Sequence, residues 1–243
     1  RFAALGFLIV LGASQLASAL ANWLAALLTT PQPLPKMDFS KGLPPNLRTL
    51  VVIPTLLNSI EKIEELLESL EVRFLGNRDE YLSFALLTDF CDAAEESLDE
   101  DEPLLRAARN GIELLNERYR SSGADRFFLL HRPRRWNPSE RVWMGYERKR
   151  GKLADLNALL RGNGRDRFSL IVGDVASLPA VTYVITLDTD TQLPLDSARQ
   201  FVATMAHPLN RPQYDEKSQR VVSGYGILQP RMGASLAGTQ RSL

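Results

Sequence analysis

Thr182-Tyr183-Val184-Ile185-Thr186-Leu187-Asp188-Thr189-Asp190-Thr191-Gln192-Leu193-Pro194 is the stretch on which the reading of this chain turns. Its first six residues are β-branched, aromatic or Leu, side chains that pack well on a pleated surface, and they predict a buried strand. The run stops at two aspartates one residue apart, and Pro194 then opens a helical segment reaching Ala206. Open α/β sheets bind ligands outside the carboxyl ends of their central strands, which is where this spacing puts Asp188 and Asp190. Acidic oxygens so spaced suit a hard divalent cation that keeps waters and bridges to substrate phosphates. The plainer reading makes Asp190 a helix cap and Asp188 a turn residue. Short Asp-x-Asp strings are common by chance, so the rest of the chain has to decide.

Upstream, Leu50-Val51-Val52-Ile53-Pro54-Thr55 is a continuous apolar run expected of a strand buried on both faces. Asn58 or Ser59 caps a following helix to about Leu70, with Ile63, Leu66, Leu67 and Leu70 on one face. Leu82–Thr88 predicts a second strand that ends in Asp89-Phe90-Cys91-Asp92. The acidic run Asp99–Glu102 then precedes Pro103 and a helix to about Tyr119, where carboxylates offset the positive end of the helix dipole. Phe127–His131 predicts a third strand, Leu170–Asp174 is a short apolar run without a clear role, and Arg220–Pro230 predicts a last strand bent at its glycines. Strands alternating with helices at this spacing give an α/β fold with a mostly parallel sheet.

The second informative stretch runs from Trp143 to Asn157 and places Lys149, Arg150 and Lys152 around Gly151 where a helix begins. The glycine permits close backbone approach, and the helix start with its cations favours a phosphate. A solvated basic loop is the alternative.

The 243 residues fit one large α/β domain, or a domain with an appendage, and 29 basic residues balance 29 acidic ones. That balance argues against a nucleic-acid partner. Cys91 is the only cysteine, which excludes an internal disulfide and a cysteine-based zinc site. The chain has no initiator Met, and its last residues do not resemble a natural domain end, so a segment of a longer protein is expected.

No charged residue occurs from Phe2 to Pro35, and Phe2–Leu28 is mostly apolar. That exceeds the roughly 20 residues that span a bilayer. Residues 1–29 are therefore expected to form a transmembrane helix, with Lys36, Lys41 and Arg48 placing the globular part of the chain in the cytoplasm. A buried core helix and a signal peptide are the alternatives. Residues 30–47, rich in proline, are expected to be a linker, and 48–243 the globular domain.

Taken in order, Val52-Ile53-Pro54, the strand ending at Asp89 and Asp92, Lys149-x-Gly151-Lys152-x4-Asn157 and Leu187-Asp188-Thr189-Asp190-Thr191 resemble the GT-A fold of inverting, processive family-2-type glycosyltransferases. The longer strings His131–Asn137, Trp143–Lys152, Thr186–Pro194 and Gly224–Arg231 are similar to cyclic β-1,2-glucan synthases, a resemblance covering about residues 45 to 235. It implies that the fold is incomplete at its carboxyl end. Pro54 and Thr55 would line a nucleotide pocket, Asp89 would meet the uracil or ribose, and Lys152 would hold the nucleotide. Asp92, Lys149 and Asn157 belong to the same set of nucleotide-sugar-binding positions. Asp188 would contact UDP or the acceptor-side sugar, and Asp190 would ligate Mg²⁺ or Mn²⁺ on the diphosphate.

The implied partners are UDP-glucose, a glucan acceptor, membrane lipid and the rest of a multidomain chain, and the implied place is the bacterial inner membrane, facing the cytoplasm. In such enzymes the general base lies beyond the Asp-x-Asp strand, so this chain alone is expected to be inactive. Arg132-Pro133-Arg134-Arg135-Trp136 matches the family's R/Q-x-x-R-W signature but precedes Asp188, and is expected to be a decoy. The rivals are a cellulose-, chitin- or hyaluronan-type synthase, a nucleotidyltransferase and a non-catalytic membrane scaffold. A haloacid-dehalogenase-type phosphatase is a fourth, disfavoured by Gln192 and by the late position of Asp188.

Overall fold

The computed structural model describes residues 2–29, 32–120 and 124–230. It divides into two compact units, Arg1–Pro35 and Lys36–Leu243. The first unit holds helix α1, Phe2–Leu28. Its length would suffice for a bilayer, but Ser14, Gln15, Ser18 and Asn22 interrupt the apolar run. Among the described residues no helix is both long and apolar enough to cross a membrane. The expected transmembrane helix over residues 1–29 is therefore unsupported by the described residues.

In the second unit, β1 (Thr49–Leu57), α2 (Ile60–Gly76), β2 (Leu82–Phe90), α3 (Asp101–Tyr119) and β3 (Phe127–His131) follow in alternation. A small hairpin, β4 (Arg135–Asn137) and β5 (Val142–Met144), leads into α4 (Arg148–Leu160). Then come β6 (Leu170–Val172), β7 (Tyr183–Thr186), α5 (Ser197–Ala206) and a second hairpin of β8 (Gln213–Asp215) and β9 (Arg220–Ser223). Among the described residues the main sheet has the order β6-β3-β2-β1-β7. β7, β1, β2 and β3 are parallel, and β6 runs antiparallel to β3. The expected mixed α/β architecture with a mostly parallel sheet flanked by helices is what the chain forms.

The apolar runs are continuous because both faces of the sheet are covered. Val51, Ile53, Phe84, Leu86, Phe127 and Leu129 pack on α2 and α3 through Ile63, Leu70, Phe74, Ala108 and Ile112. The alternate residues Leu50, Val52, Ala85, Leu87, Phe128 and Leu130 pack on Leu156 and Leu159 of α4. Ser59, in extended conformation, caps α2 by accepting from Lys62 N at 3.2 Å. The proline-rich stretch is structured in its second half: Met37 N donates to Ala203 O at 3.0 Å, and Leu43 and Leu47 pack on Val202 and Ala206 of α5.

Three expectations change. β7 is not a central buried strand but an edge of the described sheet, with Val184 42 % exposed. Side-chain type reports fitness for a pleated surface, not how many neighbours that surface has. The run at Leu170 is the antiparallel edge strand β6. The predicted last strand, Arg220–Pro230, is only the short β9, paired with β8 outside the main sheet and ended by Gly224 in the left-handed region at φ 71°.

Asn116 at the end of α3 fixes where β3 begins. Its Oδ1 accepts from Arg126 N (3.0 Å) and Phe127 N (2.9 Å), and its Nδ2 donates to Phe127 O (2.9 Å), all buried. Asn116→Ala would leave three buried backbone groups unsatisfied and is predicted to cost about 2–4 kcal/mol of stability in urea unfolding. A loss below about 0.5 kcal/mol would contradict this assignment.

Candidate functional site

The parallel strands end together at one edge of the sheet, and the sequence-predicted residues gather there. Leu56 of β1 stands opposite Asp89 of β2, and Val52 stands opposite Thr186, two residues before Asp188. Val52 O accepts from Leu187 N at 2.9 Å, so backbone groups two residues on, at Pro54, point the same way. β7 pairs only with Thr49–Val52, and Pro54 thus directs its missing N–H past the end of that pairing. This is how a central strand tolerates a proline.

Beneath this edge lies a buried ion network. Asp89, 1 % exposed, accepts Arg132 Nε and Nη2 at 2.9 Å each, a bidentate fork. Arg132 Nη1 also donates to Asp155 Oδ2 of α4 at 2.7 Å, and Asp155 Oδ1 accepts from Arg167 at 2.9 Å. Burial works against the Arg132 charge, but its bonds to Asp89 and Asp155 hold it above its ordinary value. Lys152 is buried too, with its Nζ bonded to Thr55 O and 3.4 Å from Asp89 Oδ2. Burial pushes its ammonium down, and the Asp89 charge opposes that shift. Asp89 and Lys152, both expected on the nucleotide, are therefore committed to tying together β1, β2, β3 and α4.

The exposed layer is different. Lys149 Nζ and Asp188 Oδ1 form an ion pair in which both side chains are more than half exposed. Asp92 pairs with Arg148 Nη1 at 2.9 Å, and Arg148 Nη2 reaches Glu140 at 3.0 Å. α4 starts without a side-chain cap, and its N-cap Glu147 and first residue Arg148 lie in the left-handed region at φ 54° and 49°. Such backbone strain at two non-glycine residues persists only where the surroundings impose it. Gly151 does serve a close approach, but within the chain: a Cβ there would lie 2.0 Å from Tyr146 O. A Cβ on Gly145 would lie 2.1 Å from Asp89 Oδ2.

The Asp-x-Asp loop is held from below by α2. Arg73, 5 % exposed, donates Nη2 to Thr189 O (2.8 Å) and Thr191 O (2.7 Å), and Nε to Thr191 O (3.1 Å). Burial lowers its basicity, and the Asp190 charge opposes that. Asn77 continues the clamp, donating Nδ2 to Pro194 O at 3.2 Å and accepting from Ala198 N at 3.0 Å. The N-cap of α5 is Asp196, so Asp190 is not a helix cap. Asp190 is exposed, two residues from Asp188, with its charge within reach of the Arg73 guanidinium.

The structure thus brings together Thr55, Asp89 and Lys152 in a buried layer, and Asp92, Lys149, Asp188 and Asp190 in or near an exposed one. Asn157 is not among them; it lies on the exposed side of α4, about two and a half turns from the helix start. Sequence reasoning missed Arg73, Asn77, Arg132 and Asp155. It had singled out Arg132 only within a motif match; Arg132 and Arg134 are both buried, Arg134 forking onto Asp101. No group of three or more metal-ligating side chains occurs among the described residues. One or two exposed carboxylates nonetheless fit a Mg²⁺-like ion that brings waters and substrate phosphates as its other ligands. A small concavity lined by Arg48, Thr49, Tyr81, Ser83 and Ser177 lies at the opposite, amino ends of β1 and β2, away from this chemistry.

His131, fully buried beneath the network, accepts or donates at Nδ1 with Thr88 Oγ1 (2.9 Å) and meets Phe90 edge to face. Its Nε2 has no hydrogen-bond partner among the described residues. Burial first, and then the Lys152 charge, push it from 6.5 down to about 3.

Arg132→Met strands the Asp89 carboxylate in the interior and should cost about 3–5 kcal/mol in chemical denaturation. Lys149→Met, at an exposed pair, should cost about 1 kcal/mol or less. Equal losses would refute the division into buried and exposed layers. Because the folded His131 pKa lies below its unfolded value, its contribution is complete above pH 6.5 and is lost as pH falls toward 3. The slope is at most ~1.4 kcal/mol per pH unit. His131→Gln should flatten the acid limb of the stability profile by that amount, and an unchanged limb would exclude a buried neutral histidine.

No family model matches the chain. Over 229 residues, 94 % of the chain, it is 44 % identical to the cyclic beta-(1,2)-glucan synthase NdvB of Rhizobium meliloti (strain 1021). The aligned region is 8 % of that relative's length. At that identity over nearly its whole length, the chain is similar to one segment of a much longer cyclic β-(1,2)-glucan synthase.

Proposed function

We propose that this chain is the donor-binding part of an inverting GT-A glycosyltransferase that transfers glucose from UDP-glucose to a growing β-1,2-glucan. The observation that carries the reading is the exposed group of Asp188, Asp190 and Lys149 at the carboxyl edge of the parallel sheet, beside the uncapped start of α4. The similarity to a glucan synthase supports the sugar and the linkage.

In this reading Asp190 would hold a Mg²⁺ or Mn²⁺ ion, which would supply positive charge to the leaving diphosphate. Lys149 and the positive end of the α4 dipole supply positive potential to the same phosphates. Arg73 keeps the loop carbonyls turned inward, so that the Asp190 carboxylate stays outward without reorganising on binding. Asp188 leaves its Lys149 pairing to meet the sugar or diphosphate. The buried residues Thr55, Asp89 and Lys152 form the floor that sets these positions, with Pro54 at the strand end. Acceptor deprotonation falls to a carboxylate outside these residues, so the chain alone binds donor without turnover. The glucan acceptor, membrane lipid and the remainder of a large multidomain chain are the proposed partners, at the cytoplasmic face of a bacterial inner membrane. That location does not rest on α1 as a span.

Calorimetric titration of the chain with UDP, with and without Mn²⁺, tests this. Binding should strengthen about tenfold or more with Mn²⁺, and Asp190→Ala should remove that gain. A folded sample whose UDP affinity ignores both metal and Asp190 would contradict the proposal.

A further inference from the structure

The concavity at the amino ends of β1 and β2 has a chemistry of its own. Counted to its open mouth it holds about 280 Å³, and Arg48, Tyr81, Ser83, Phe128, Ser177 and Leu178 are among the residues that line it. Its walls come from the residues that open β1 and β2, from β3, and from the short 3₁₀ helix Val175–Ala180. Phe128 and Leu178 belong to the core, so one side of the concavity is fixed and apolar.

The other side carries hydrogen-bond donors without acceptors. Arg48 is half-buried, and its guanidinium lies over the Tyr81 ring, 5.1 Å from the centroid. That guanidinium has no hydrogen bond or ion pair among the described residues, whereas the buried cations Arg73, Arg132, Arg134 and Lys152 all meet oxygens. Stacking fixes the plane of a guanidinium and leaves its N–H fork free. The hydroxyls of Tyr81 and Ser83 are also without partners among the described residues. Those of Thr49 and Ser177 already donate to Leu47 O and Asp174 O. None of the lining residues is acidic. Just before β2, Asp79 is engaged by the amides of Leu43 (2.9 Å) and Tyr81 (3.0 Å), and Glu80 is exposed and does not line the concavity.

We infer that this concavity is a binding site for a small phosphate-type oxyanion, separate from the donor site. A guanidinium fork matches phosphate in a bidentate fashion. A phosphate keeps further oxygens for the Tyr81 and Ser83 hydroxyls, which a carboxylate held by the fork would not reach with its two. A neutral polyol would leave the Arg48 charge unanswered. The volume falls below the roughly 300 Å³ at which pockets for larger ligands begin, so a nucleotide does not fit. The length of β1, roughly 25 Å, separates this end from the edge that carries Asp188 and Lys149. The inference therefore does not rest on the glucosyltransferase reading. The side chain of Arg48 is also free to be exchanged: its part in the fold is its carbonyl, which accepts from Thr182 N (2.7 Å) and Tyr183 N (3.3 Å) where β7 begins.

Titration of the metal-free chain with inorganic phosphate, at an ionic strength held constant with chloride, tests this by NMR. The backbone amides of Arg48, Tyr81 and Ser83 should shift and saturate, with a midpoint on the order of 1 mM. Arg48→Met should weaken the binding about tenfold or more, and Arg48→Lys should restore part of it, since an ammonium keeps the charge without the fork. Ser83→Ala, which leaves Arg48 in place, should weaken it about fivefold. Methyl phosphate separates the sources: competition at the same amides assigns the site to a phosphate ester, and its exclusion assigns it to the free ion. Shifts that never saturate, or that chloride reproduces, would overturn the site and leave Arg48 merely solvated. Saturating shifts confined to Lys149–Lys152 would overturn it in favour of the donor edge. Loss of UDP binding in a folded Arg48→Met chain would refute the separation of the two sites, whereas phosphate binding at Arg48 in a chain that ignores UDP would sustain this site and refute the donor reading.

Discussion

The bidentate bond between Arg132 and Asp89 is the constraint on which the rest of the site depends. It joins the end of β2 to the residue after β3, and through Asp155 it reaches across to α4. A carboxylate that is 1 % exposed is tolerable only because a guanidinium and an ammonium meet it from two sides. Gly145 is required because any side chain there would occupy the space of that carboxylate. The placing of α4, and with it Lys149, is set by charges that never reach solvent.

A second clamp works from the opposite face of the sheet. Arg73 and Asn77 sit at the end of α2 and hold the backbone of Thr189, Thr191 and Pro194. The two Asp side chains of the loop are left on the surface by this arrangement, since it is the carbonyls of Thr189 and Thr191 that are bonded inward. Buried cations thus serve as scaffold on both sides, while the exposed ion pair of Lys149 and Asp188 is weakly held and exchangeable. That is a reasonable division for a surface that has to accept a charged ligand.

Much of the fold was legible from the apolar runs. Phe127–His131 is a strand with the bounds its sequence predicts, and Ser59 caps the helix it precedes. The run at Thr182 is recognisable as a strand but not as an edge, because β-branched residues suit an edge as well as a centre. In the site, the positions of Asp188, Asp190 and Lys149 were legible because motif spacing is local. The burial of Asp89 and Lys152 was not, since each depends on a partner far away in sequence, Arg132 and Thr55. Arg73 carried no signal at all: a lone arginine near the end of an amphipathic helix reads as a solvated or dipole-compensating residue. The length of Phe2–Leu28 suggested a membrane span, for which the described residues give no support.

A crystal structure of the chain with UDP and Mg²⁺ would probe the donor site without intermediaries. A metal ion is expected at about 2.1 Å from an Asp190 oxygen. The diphosphate should lie over the start of α4, with Asp89 still forked by Arg132. A nucleotide seated elsewhere, or a metal bound without Asp190, would contradict the assignment of this edge of the sheet as the donor site.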